Sequence, residues 1–283
     1  MPKAPAARKG NKLISFLHLS VPPLHLALLL LAAFAAGAIN SVAGGGTLLT
    51  FPVLLSVLGG VPNGPVIANG TSTVALVPGS MSAFWGYRAE VKGQTRSLWE
   101  MAVPSVLGGA LGAYLATHVS SALFSRLVPW LIFGATFLFL IQDPVRRWIG
   151  RGTADAQAAP KPLGVGGIVF QFFVAIYGGF FGAGIGILML AALGFLGQTN
   201  IHRMNGLKNF AAVCINGVGA LTFIFYRRVD WTLALLMMAL AITGGYAGAG
   251  LAQRAGQANV RRLVIFIGLA FGAWTLYGQL RHG

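Results

Sequence analysis

The sequence predicts an all-α polytopic membrane protein. It predicts about eight transmembrane helices in two repeats of four, each repeat with a glycine-broken helix followed by a short half-helix. Three observations carry this. Of 283 residues, 56% are hydrophobic and only 9% charged, against about 25% charged in a typical soluble domain. Apolar runs close to the ~20 residues needed to cross a hydrocarbon core recur along the chain. The basic residues fall between those runs. So few charges cannot cover the surface of a water-soluble fold, and a mean hydropathy of +0.75 excludes a disordered chain. A formal charge of +15 would suit nucleic-acid binding, but basic residues spaced between apolar runs read as membrane flanks, so no nucleic-acid partner is expected. The single cysteine, Cys214, excludes a disulfide framework. His18, His25, His118, His202 and His282 show no ligand spacing, so no metal or other cofactor is expected.

Taken in order, residues 1–20 form a basic tail carrying Lys3, Arg8, Lys9 and Lys12. A cleaved signal peptide over 1–38 is the weaker reading, because the apolar pattern runs straight past Ala36 and Ala38. Spans are expected at 21–43, 66–86, 98–117, 122–141, 163–181, 205–226, 231–251 and 260–280. Short apolar runs at 47–58 and 186–196 follow the first and fifth spans, each set off by glycines. Residues 143–162, with Pro144, Pro160 and Pro162, read as a linker between a first repeat (21–142) and a second (163–283).

With eight crossings and an inside N-terminus, 14 basic residues fall inside and five outside: Arg126, Arg203, Arg254, Arg261 and Arg262. That bias puts the tail, the linker and both termini in the cytoplasm. The two halves resemble one another. Asn69-Gly70 recurs as Asn205-Gly206, and Gly108–Ala116 recurs as Gly244–Ala252, both 136 residues later. Repeats of this kind mark transporters. Four crossings per half make them parallel, five make them inverted, and charge alone does not choose.

The breaks read Ala43-Gly44-Gly45-Gly46-Thr47 and Gly178-Gly179-Phe180-Phe181-Gly182-Ala183-Gly184. Interrupted segments at matching places in two halves point to a transport site. A half-helix starting near Thr47 or Ile185 would aim its first N–H groups there, and such ends favour anions. The competing reading is close helix packing, which suits Gly108, Gly112, Gly244, Gly248, Gly268 and Gly272. Polar residues follow each break. Asn69, Thr71, Ser72 and Thr73 open the second span, continuing to Ser80 and Ser82, and Asn205, Lys208 and Asn209 open the sixth, continuing to Asn216. Asn209 and Asn216 share a helix face. Asparagines here hydrogen-bond an oxyanion or an ion, or simply tie helices together. Lys208 lies too deep for an ordinary flank, so it snorkels or offers charge to an anion in a hydrated cavity. Glu100 alone among carboxylates lies inside a span, near its start. The site expected from the residues is therefore Gly45, Gly46, Thr47, Asn69, Thr71, Ser72, Gly182, Gly184, Asn205, Lys208 and Asn209, with a small anionic partner.

With Ala36-Gly37 through Gly46, Thr50-x-Pro52, Ala68–Ser72, Gly178–Gly184, Asn205–Asn209 and Val229-Asp230-Trp231, the chain resembles the TauE/SafE family of sulfite-exporter-like permeases. The resemblance covers nearly everything after residue 20. It implies a bacterial inner-membrane permease for sulfite, organosulfonates or similar organic anions. Some relatives carry an acidic residue where Asn40 stands, so the resemblance does not carry proton coupling over to this chain. The reading is a secondary transporter or facilitator, not an enzyme, working in export, with the bilayer and a second copy of the chain as further partners. The alternative is a membrane assembly subunit, or an embedded enzyme whose catalytic carboxylates or paired histidines the spans do not display.

Overall fold

The structure, a computed structural model, describes residues 21–42, 45–150, 164–195, 198, 200–255 and 257–282. The tail at 1–20 and residues 151–163 lie outside them. The described residues are helical, with no strand among them: α1 (Pro23–Val42), α2 (Thr47–Leu58), α3 (Gly64–Tyr87), a 3-10 turn (Arg88–Val91), α4 (Thr95–His118), α5 (Ser121–Gly150), α6 (Gly164–Phe180), α7 (Ile185–Phe195), α8 (Ile201–Phe225), α9 (Trp231–Ala255) and α10 (Gln257–His282). Five stretches among these are long and apolar enough to cross a membrane: Pro23–Asn40, Thr95–His118, Ser121–Ile141, His202–Phe225 and Val264–Arg281. The start of the expected linker is helix instead, because α5 runs on through Asp143-Pro144 to Gly150.

The outer faces are apolar. Leu31, Trp99, Phe137, Phe173, Leu221 and Phe266 are all exposed, which water would penalise and lipid does not. Inside, small residues let backbones approach closely. A side chain added at Gly112 would run into the backbone of Ile176, and one at Gly244 into Phe34. This seats α4 on α6 and α9 on α1.

Contacts fix which loops share an end of the bundle. At one end, Ser121 Oγ donates to Asn63 Oδ1 at 2.8 Å, His118 stacks edge-on against Tyr226, and Asp230 N donates to Thr71 Oγ1 at 2.9 Å. At the other end, Gly206 sits against Tyr87, Glu90 and Val91. So α3 and α8 run antiparallel through the centre. Helices α5 and α10 are antiparallel too, with Gly272 against Phe133 and Gln279 Nε2 donating to Ser125 O at 2.6 Å.

The short helices fold back. A Cβ on Gly46 would meet Ala36, so α2 starts level with Ala36 and returns along α1 towards the Asn63 end. Helix α6 runs parallel to α4, from the Tyr87 end, and α7 returns there, because α8 begins beside Tyr87–Val91. Each glycine break is therefore the tip of a hairpin, and the hairpins enter from opposite ends.

This corrects the sorting of charges made from the sequence. That sorting separated Arg203 from Arg88, Lys92 and Arg96, and the structure puts α8's start at their end. The reason is parity. Hydropathy registers an apolar run but not whether it turns back; one reversal switches the side of the loops after it, and a second switches them back. Residues 21 and 282 lie at the same end of the bundle, with Asn63 and Tyr226.

Candidate functional site

The hairpin tips meet. A Cβ on Gly45 would stand 2.8 Å from Gly184 N and 3.0 Å from the Phe139 ring. The rings of Phe51 and Phe181 pack edge-on at 5.2 Å beneath them. Both tips need left-handed backbone, with φ of 98° at Gly45, 82° at Gly182 and 77° at Gly184, a region open to glycine without steric penalty.

Two hydrogen bonds hold the second tip. Tyr177 Oη donates to Ala183 O at 2.8 Å. Asn69 Nδ2, from α3, donates to Phe180 O at 2.8 Å. Both take up carbonyls that the break releases, as backbone at membrane depth requires. The first tip is braced by Thr50 Oγ1, 2.6 Å from Ser72 Oγ on α3.

Beside the tips lies a narrow cavity of about 20 Å³, room for about one water. Gly45, Thr47, Gly182, Ile185 and Gly186 line it from the tips. Thr73, Leu76 and Ser80 line it from α3, and Asn209, Ala212 and Asn216 from α8. These form three pairs 136 residues apart, the spacing of the sequence repeat. Asn40, Ala83 and Lys208 complete the lining. Lys208 is 1% exposed and Asn209 3%. Asn209 Nδ2 has no hydrogen-bond partner among the described residues. Asn40 Nδ2 and Asn216 Nδ2 both donate to Ser80 Oγ at 2.9 Å, and Ser80 Oγ donates to Leu76 O at 3.2 Å.

The lining is rich in donors: the lysine ammonium, three amide side chains and the starts of α2 and α7, where the N–H groups of Leu48, Leu49, Thr50 and Ile187 are already taken by the carbonyls of Gly45, Gly46 and Gly184 and only the first N–H groups face the tips. Among the described residues no carboxylate lines it. Among the described residues no cluster could hold a metal ion.

The structure brings Gly45, Thr47, Gly182, Lys208 and Asn209 into this cavity and uses the other expected residues as its frame. Asn69 and Ser72 brace the tips, and Gly46 packs on Ala36. Gly184 packs on Leu138, and Asn205 is buried without lining the cavity. Thr71 ties α3 to the turn before α9. Asn40, Thr73, Ser80 and Asn216 join the lining from outside the expected site, the last three from the polar runs of the second and sixth spans. Thr73 stands 136 residues before Asn209.

Comparison with known proteins places this architecture. The profile of the family described as "Sulfite exporter TauE/SafE" matches residues 29–275. A "Probable membrane transporter protein" of Haemophilus influenzae is 30% identical over 90% of this chain and 95% of its own length. One of Xylella fastidiosa is 33% identical over 79% of this chain and 82% of its own. The "Probable membrane transporter protein YfcA" of Escherichia coli is 28% identical over 93% of each. No solved structure matches significantly. Family, relatives and apolar helices agree on a multi-pass membrane protein of transporter type, and the chain belongs to the sulfite exporter TauE/SafE family.

Proposed function

We propose that this membrane transporter is a facilitator that carries a small anion, such as sulfite, an organosulfonate or a similar organic acid, out across the bacterial inner membrane. The observation that carries the reading is the cavity between the hairpin tips. It presents Lys208, the Asn209 Nδ2 that has no partner among the described residues, and two helix starts, with no carboxylate among the described residues of the lining. Such a lining favours negative charge and repels no anion. At about 20 Å³ the cavity has room for about one water, so passage of an anion requires the hairpins and α3/α8 to move apart. The membrane potential supplies the driving force, about 2.3 kcal/mol per charge per 100 mV in favour of anion exit.

Two inverted repeats account for the element order. Helix starts at Thr95 and Ser121 recur at Trp231 and Gln257, 136 residues on, and the hairpins enter from opposite ends. In this reading each half contributes one hairpin and three crossings, in place of four parallel crossings. Among the described residues, the end bearing Arg88, Lys92, Arg96, Arg146, Arg147, Arg203, Arg254, Arg261 and Arg262 then carries nine basic residues against four at the other. The positive-inside bias puts the nine in the cytoplasm and residues 21 and 282 outside.

The test is flux of radiolabelled sulfite, methanesulfonate and acetate in proteoliposomes. At least one anion is expected to move faster than in empty liposomes, and Lys208→Ala is expected to slow it by tenfold or more. Background flux for every anion would overturn the transporter reading. Equal flux in the variant would remove Lys208 from it.

A further inference from the structure

We propose that Ser80 is an internal stand-in for the substrate, and that Asn40 and Asn216 are the amide donors that pass from Ser80 to an oxygen of the anion as it binds. This rests on the functional reading above and names the switch within that site. Three facts carry it. Ser80 is only 2% exposed, and its Oγ receives the amides of Asn40 and Asn216, each at 2.9 Å, while its own proton goes to Leu76 O at 3.2 Å. A hydroxyl has one proton and two lone pairs, so this oxygen is saturated. Because the single proton cannot serve both asparagines, at least one must donate through Nδ2 whichever way the amides are turned. All three residues line the same cavity.

The arrangement is that of an oxyanion site holding a neutral oxygen. Two amide donors converge on one acceptor from opposite sides, Asn40 from α1 and Asn216 from α8, with Ser80 on α3 between them. Buried amides without an acceptor are costly, so in the empty protein Ser80 keeps them satisfied. An anion oxygen is the stronger acceptor, since hydrogen bonds to charged groups are roughly twice as strong as neutral ones. Once an anion enters, the donors turn to it and the brace joining α1, α3 and α8 is released. Binding is thereby tied to loosening of the helices that close a cavity too small for the anion.

The experiment measures KM and maximal rate for sulfite with the reconstituted full chain. Ser80→Ala removes the competing acceptor and leaves the donors. Its KM is expected to fall about fivefold, the factor for one neutral hydrogen bond. Ser80→Thr keeps a hydroxyl and is expected to keep the wild-type KM. Asn216→Ala removes a donor, and its KM is expected to rise about tenfold. A brace with only a structural role gives the opposite result: Ser80→Ala with unchanged or raised KM and a lowered melting temperature overturns the proposal, as does an unchanged KM in Asn216→Ala. The Asn216 arm decides alone if Ser80→Ala fails to fold. Failure of wild type to carry any of the three anions overturns the functional reading itself, whereas wild-type flux with unmoved KM values overturns this inference alone.

Discussion

Asn69 shows how one side chain ties the site to its frame. Its Nδ2 holds the Phe180 carbonyl at 2.8 Å, across 111 residues of chain, and its Oδ1 has no partner among the described residues. Asn69→Ala leaves a carbonyl unsatisfied at the hairpin tip. The expected cost is about 1–3 kcal/mol of stability, read as a lower melting temperature in detergent, with slower flux because the α7 start loses its position. Asn69→Asp replaces the donor with an acceptor and is expected to be worse than alanine. An unchanged melting temperature in both variants would show that the bond does not hold the tip. Residues at this scale were legible by type more than by role. A lysine and asparagines inside an apolar run are conspicuous, and Lys208 and Asn209 do line the cavity. Asn69 and Thr71 carry the same signal, yet they serve as braces. A sequence reports that a polar group needs a partner at depth, not whether the partner is backbone or substrate.

At the scale of elements, the glycine breaks were readable because three consecutive glycines, or four within seven residues, cannot sustain a helix. Their recurrence at matching places pointed to the site. The direction of the chain beyond them was not readable, because 47–58 and 185–195 are equally apolar whether they continue outward or fold back. The fold-back rests on backbone that glycine alone adopts easily. Gly182→Ala and Gly184→Ala put a Cβ at φ of 82° and 77°, costing about 1–2 kcal/mol each. Both variants are expected to reach the membrane but to carry anion at less than a tenth of the wild-type rate, as the α7 start moves off the cavity. Gly86→Ala, where a Cβ meets nothing within 4 Å, is the control expected to match wild type. Wild-type rates for the two tip variants would show that the tips do not shape the site.

For the whole molecule, the repeat spacing of 136 found in the sequence reappears in the starts of α4/α9 and α5/α10 and in three pairs of cavity-lining residues. Charge counting alone does not choose at this scale, because orientation depends on the number of reversals, which composition does not record. The inverted reading predicts that a cysteine at Gly93 and one at Asn200 are labelled by impermeant maleimide from the same side, in a Cys214→Ser background. Cysteines at Gly60 and Arg227 would be labelled from the other. Labelling of positions 93 and 200 from opposite sides would restore eight parallel crossings. Yet the claim on which the rest depends is that an anion crosses unaided through the cavity, and imposed potential tests it most directly. Proteoliposomes loaded with a monovalent anion such as methanesulfonate and clamped at 100 mV, inside negative, should lose it until the outward ratio nears about fifty-fold, the equivalent of 2.3 kcal/mol. Reversing the potential should reverse the ratio. An anion ratio that stays at one under either potential, with intact protein in the membrane, would contradict the account.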